Sequence, residues 1–517
     1  MSNTVGHAPG RSMIVIGAGI AGLSAGCYAQ MNGYRSRIYE MHAKPGGLCT
    51  SWQREGYTID YCIHWLSGSK PGGSMYRLWE EIGLVQGLDL RDLDEFYRYE
   101  GEDGRVVVVY RDLDRTEREL CELSPADAPL LREFFAAARK LVGKDMMADV
   151  PPREAMGPLT GLTMLPRMLP YLRPFRTWGR RTMNEVADRF HDPLLAEAFR
   201  AMWPPQSSAF FMIATFAWLH EGSAGYPIGG SLPLARNVER RYVELGGEVT
   251  YGARVDEILV EGGRAVGVRL EGGAEERADI VVSAADGHAT IYGMLGGRYV
   301  GEVHRDLYER GVLPLFTSII FIGVGVDRDF SDLPEIVTGM NVPLAEAFDL
   351  GGRRYDRVNV RIHNFDATLA PEGKTILTGI LEADEPYWEH LRADDRERYD
   401  AEKQRVADAV VATLDRRYPG LAAQVEMTDV STPATLVRYT GNWQGSFEGW
   451  LPTPEWLIKT VPRTLPGLDA FWMVGQWVAP GGGLPSGPMS ARQVQQLICK
   501  RDGVKFRTSV ALSLIHI

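Results

Sequence analysis

MIVIGAGIAGLSAGCYAQMNGYRSRIYEMHAKPGGLCTSW, residues 13–52, decides the fold. Residues 13–16 are wholly apolar, the pattern of a parallel strand covered on both faces. GAGIAG follows at once. Gly17 makes the tight turn, Gly19 lets the main chain approach a pyrophosphate, and Gly22, after Ile20 and Ala21, lets the next helix pack closely on the strand. That helix, over residues 23–31, offers unpaired N–H groups and a positive dipole end to phosphate. A second strand, residues 37–39, closes on Glu40, eighteen residues past Gly22 and near the offset at which an acid meets ribose hydroxyls. A carboxylate there repels a 2′-phosphate, which leaves FAD and NAD as candidates and excludes NADP.

Downstream, EMHAKPGGLCTSW carries a PGG turn in which Gly46 and Gly47 allow a second close approach of backbone to a phosphate or ribityl chain. The whole string resembles the flavin-binding segment of the phytoene desaturase, carotenoid isomerase and retinol saturase family, FAD oxidoreductases related to the amine oxidases. The resemblance implies an extended FAD held by Gly17, Gly19, Ile20, Ala21, Gly22, Glu40, Met41, Gly46, Gly47 and Leu48. Leu48 stands where many members place Arg or Lys, so backbone N–H groups carry the pyrophosphate here.

The likeness continues in GYTIDYCIHWLSGSKPGGSMYRLWEEIGL, residues 56–84, although Tyr61-Cys62 replace the usual glycine after Asp60 and His64-Trp65 are unusual. Residues 226–273 read as a GG turn, a helix and two alternating strands, 255–260 and 265–270. By family resemblance Val255 contacts adenine through its backbone. A buried strand in 278–290 ends near Asp286. The last match, LDAFWMVGQWVAPGGGLPSGPMSARQVQQLICKR (468–501), has a strand over 471–474, then Gly475 and Gln476, three glycines at 481–483, and a helix from about Ser490. Such a helix start stabilises negative charge on a flavin ring. Gly483, Leu484 and Pro485 are expected against that ring, and Gln476 replaces an acid found in many relatives.

These matches imply an α/β fold, a Rossmann-like FAD-binding domain of the GR2 flavoprotein type assembled from residues 1–85, 226–299 and 436–505. Residues 86–225 and 300–435 form an inserted α+β substrate domain with a mixed sheet and a helical apolar cap, and 506–517 a tail. Within the cap, prolines at 158, 166, 170 and 174 rule out one long helix on sequence grounds. Arginines interleave with apolar residues over 156–181, so this segment either packs on the protein or rests on an anionic membrane surface. AFFMIATFAWLHEG, residues 209–222, is too short to span a bilayer and reads as a buried helix or a tunnel wall. Trp65, Phe211, Phe216 and Trp218 are expected to line a pocket for a long apolar small molecule.

A net charge of -11 and a sequence pI near 5.5 argue against nucleic-acid binding. Five scattered cysteines without a CxxC pair suggest reduced thiols and no metal centre. A cytoplasmic protein is expected, with peripheral membrane contact as the added possibility. Acid–base candidates are His64, His220 and Glu221, with Arg438-Tyr439 and Glu448 as lesser ones. The resemblance implies an FAD-dependent oxidoreductase acting on carbon–carbon double bonds of a polyene or isoprenoid by desaturation, saturation or isomerisation. NAD(P)H is the expected electron donor where the reaction runs reductively. The alternatives are a polyene-modifying or reductively cyclising enzyme of secondary metabolism, and a non-enzymatic lipid-binding escort protein of the same fold.

Overall fold

The computed structural model describes residues 10–156, 158–457 and 459–508. A five-stranded parallel sheet runs in the order Glu248–Tyr251, Arg35–Glu40, Ser12–Ile16, Ile280–Ser283, Phe471–Met473. Its central strand pairs Met13 with Ile280 on one side and with Ser36 on the other. Alternate residues of that strand enter different cores. Met13 and Val15 pack with Leu23, Val238 and Val494 of the helices Ile20–Met31, Ser231–Glu244 and Gly483–Arg501. Ile14 and Ile16 face Val255, Ile258 and Val268 of a three-stranded antiparallel sheet. Both faces are therefore covered, which is why Met13 to Ile16 are all apolar.

The five parallel strands come from residues 12–40, 248–283 and 471–473. A second, seven-stranded mixed sheet is built from the stretches between, in the order Val425–Ser431, Ile319–Val326, Thr375–Glu382, Arg353–Ile362, Met340–Leu350, Glu95–Glu100, Val106–Tyr110. Only Met340–Leu350 and Glu95–Glu100 pair in parallel there. One face, carrying Ile320, Ile322, Val358 and Val360, packs on Val406 and Val410 of the helix Arg396–Arg417. On the other, Asn341, Asn359 and Ile380 stand in one register row.

Three expectations need correction. The prolines at 166, 170 and 174 do not break the cap: Pro158–Trp178 is one helix. Their four-residue spacing places them along one strip of the helix, so the hydrogen bonds they delete fall together on one side while the opposite side stays continuous. Arg167 anchors this helix to Asp145 at 2.6 Å and Asp149 at 2.7 Å. The C-terminal helix starts not near Ser490 but at Gly483, so Gly483, Leu484 and Pro485 form its first turn. The helix Glu302–Tyr308 lies in the inserted stretch by sequence but buries Leu307 and Tyr308 in the core of the parallel sheet, with Val281 and Phe471. Of the tail, residues 509–517 lie outside the described residues, whereas Phe506 packs on Tyr28 and the Arg507 N–H donates to Asn32 at 2.8 Å. Among the described residues no helix is long and apolar enough to cross a membrane.

Candidate active site

Three segments distant in sequence converge on the start of the helix Ile20–Met31. Its N-cap is Gly19, without a side-chain cap and with no acidic residue in the first turn, so its leading N–H groups are open to an anion. Gly22 must be glycine: a Cβ there would lie 1.9 Å from the Gly17 carbonyl oxygen. The PGG turn docks beside this loop through the Gly46 N–H, which donates to Ala18 O at 2.9 Å. A Cβ on Gly47 would approach Gly19 Cα to 3.4 Å, so exposed backbone faces exposed backbone. The third segment closes on the same turn. Cβ atoms on Gly475 and Gly487 would meet Ala21 at 3.3 and 3.1 Å, and the Gly475 N–H donates to Ser490 Oγ at 2.8 Å.

Glu40 ends the second strand and is buried; its carboxylate accepts the Ala18 N–H at 2.6 Å and the His42 N–H at 2.8 Å. Each oxygen keeps a further lone pair, enough to accept ribose hydroxyls. Met41, the next residue, is half-buried, Leu48 packs against the cluster of Tyr57, Ile59 and Phe321, and Tyr439 packs edge-on against His42 at 5.2 Å. Val255 is buried where the antiparallel sheet begins. An uncapped helix start, backbone stripped of side chains and a carboxylate at the strand tip fit the pyrophosphate and ribose of an adenine dinucleotide.

At the other end of the C-terminal segment, the bend Gly481–Gly483 opens onto a cavity of ≈ 1650 Å³, mostly apolar and larger than the ~300–1,000 Å³ usual for small-molecule sites. Trp65, Phe211, Trp218, Phe447 and Leu451 line it, together with Leu484 and Pro485. Gln476 lies behind the bend, its side chain 3.2 Å from a Cβ built on Gly449. The helix Ala209–His220, capped by Ser208, turns Phe211, Ala214 and Trp218 toward the cavity. Phe216 is turned the other way. It stacks on Phe135 at 5.7 Å in the aromatic core, which corrects its expected place in the pocket.

The acid–base candidates separate in the same manner. His64 lines the cavity, and the carbonyls of Ile63 and His64 accept from Arg361 at 3.0 and 3.3 Å. Burial first, and then the Arg361 charge, push its imidazole down to about 3, so it is neutral and a poor proton donor. His220 and Glu221 do not reach the cavity, and their expected catalytic role is withdrawn. His220 Nδ1 accepts the Leu113 N–H at 3.3 Å, and Glu221 accepts from Gly143, so both tie loops to the end of their helix. Arg361, inside the protein with its guanidinium 5.0 Å from the Tyr226 ring centroid, gave no signal in sequence because its role depends on a strand three hundred residues from the segment it holds. Glu448, a lesser candidate by sequence, lines the cavity against the bend.

The profile of the family described as flavin containing amine oxidoreductase matches residues 20–412. Prolycopene isomerase of Daucus carota is 26% identical over 93% of this chain and 79% of its own length. The lycopene-forming phytoene desaturase of Pseudescherichia vulneris is 24% identical over 94% of this chain and 99% of its own. Among solved structures, an oxidoreductase from Methanosarcina mazei superposes with a TM-score of 0.58 at 16% identity, over 94% of this chain and all of that one.

Proposed function

Because the chain belongs to the family of flavin-containing amine oxidoreductases, we propose that it holds FAD extended from Glu40 along Gly19 and Gly47 to the Gly481–Gly483 bend. It would use that FAD on carbon–carbon double bonds of a long apolar polyene or isoprenoid. The observation that carries this reading is the meeting of the glycine-built bend with the large apolar cavity. The isomerase and desaturase relatives agree with it. Bound flavin supplies hydride transfer; the protein orients the substrate and keeps water away. Gly17, Ile20, Ala21, Gly22, Met41, Gly46, Leu48, Val255, Gly475, Gln476, Gly483, Leu484 and Pro485 complete the proposed flavin contacts. Trp65, Phe211 and Trp218 are the proposed substrate contacts.

Desaturation, saturation and isomerisation are all served by this arrangement, and saturation would draw electrons from NAD(P)H. Peripheral membrane contact belongs to the same proposal. Leu165, Met168, Leu169 and Leu172 of the proline helix are exposed by 55%, 47%, 57% and 44%, and Met168 and Leu172 also line the cavity. An apolar substrate could thus pass from lipid to pocket without crossing water. The test is optical. Purified protein should show flavin bands near ~370 and ~450 nm, and anaerobic addition of phytoene or prolycopene in lipid vesicles should perturb or bleach the ~450 nm band. A flavin-loaded protein that responds to amines but to neither polyene overturns the substrate class.

A further inference from the structure

Glu448 is a carboxyl group that the structure gives nothing to do. Burial alone acts on it, with no hydrogen bond or charge from a described residue to offset the cost. A half-buried carboxyl group that no described neighbour engages is left to meet whatever occupies the cavity. Its position is specific. A Cβ built on Gly482 would lie 2.5 Å from Glu448 Cβ and 3.1 Å from its Oε2, and one on Gly483 3.9 Å from its Oε1. Gly482, at φ 60, therefore leaves room for this side chain in a conformation that favours glycine. The carboxyl group lines the cavity and is half-buried there.

Its surroundings carry little competing chemistry. The Tyr61 phenol, buried and without a hydrogen-bond partner, is the titratable group within reach of its charge. Gly481–Gly483 and the amide Gln476 bring no charge from the bend, Phe447 and Phe316 are apolar, and His64 of the cavity wall is neutral.

We propose that Glu448 exchanges a proton with the substrate carbon beside the flavin; this rests on the reading that the flavin ring meets the cavity at this bend. In the oxidative direction a hydride leaves one substrate carbon for the flavin and a proton leaves the neighbouring carbon for the Glu448 carboxylate. The electron pair of that C–H bond becomes the new C=C π bond. The reductive direction is the reverse, with the carboxylic acid returning the proton. Burial pushes Glu448 up to about 7, which keeps both forms populated near neutral pH.

Glu448→Gln preserves the shape and removes the exchangeable proton; Glu448→Asp preserves the acid. In flavin-loaded wild-type protein, the flavin midpoint potential plotted against pH should change slope near pH 7. In Glu448→Gln it should run straight through that region, and Glu448→Asp should restore a break. With phytoene in vesicles, turnover should fall about 100-fold or more in Glu448→Gln, the usual scale of acid–base catalysis. The potential decides even if phytoene is not turned over. A wild-type plot without a break, a break that persists in Glu448→Gln, or undiminished turnover in that variant overturns the proposal. A colourless, flavin-free protein defeats the flavin reading instead, and the absorption spectrum tells the two failures apart.

Discussion

The glycine-built cradle and the apolar cavity are built on opposite principles. In the cradle, main chain is left bare: Gly19, Gly47 and the start of one helix present backbone, and the Glu40 carboxylate lies beside it, bound to the Ala18 N–H. In the cavity, side chains are the wall, and Trp65, Phe211, Trp218 and Leu451 arrive from segments far apart in the chain. Binding through backbone tolerates almost no added atom, whereas a side-chain wall can be trimmed and reshaped. The cradle should thus fail abruptly and the cavity by degrees.

The largest effect is expected in the cradle. Gly22→Val forces a Cβ to 1.9 Å from a carbonyl oxygen that belongs to the same turn. It should cost about 5 kcal/mol, the range reserved for severe lesions, and leave little yellow protein by absorbance. Phe216→Ala separates core from cavity: it should lower stability by about 4 kcal/mol in denaturant unfolding, because it empties a site packed against Phe96, Phe134 and Phe135. Phe211→Ala, only five residues away but on the cavity side of the same helix, should cost about 1 kcal/mol and appear mainly as a raised KM. Equal stability losses for the two phenylalanines would erase the distinction between core and wall.

The effect of pH has a definite sign. Burial raises the Glu448 carboxyl from 4.5 to about 7, so the folded state binds the proton more tightly than the unfolded chain. Wild-type stability should fall as pH rises through that window, by roughly 1 kcal/mol per pH unit, and then level off. Glu448→Gln should lack this loss and match the wild-type trend below pH 4.5, as read by thermal unfolding across pH. The smallest change in stability, within about 0.5 kcal/mol, is expected for Leu165→Glu with Leu169→Glu, both on the exposed side of the proline helix. These should nevertheless weaken cosedimentation with anionic vesicles, and unchanged cosedimentation would remove membrane contact from the proposal.

The same contrast explains what could be read in advance. Gly17, Gly19, Gly22 and Glu40 are close in sequence, and each is demanded by local backbone geometry, so their spacing announces a βαβ unit. The helix over residues 158–178 defied its prolines because their four-residue register confines the damage to one strip, a tertiary accommodation that residue-by-residue breaking rules omit. Phe216 and Phe211 share one apolar run, and only the packing of Phe134 and Phe135 decides which of them faces inward. His220 and Glu221 looked reactive by residue type, but they finish a helix and hold neighbouring loops. Glu448 carries no motif at all: its significance comes from the bend at Gly482, more than thirty residues later.

The most direct test of the flavin's course is a crystal structure of the yellow, flavin-loaded protein. The expected density places the adenosine ribose on Glu40, the pyrophosphate over Gly19 and Gly47, and the isoalloxazine ring against Gly481–Gly483 with Glu448 beside it. A ring bound away from that bend, or a ribose that makes no contact with Glu40, would contradict the account.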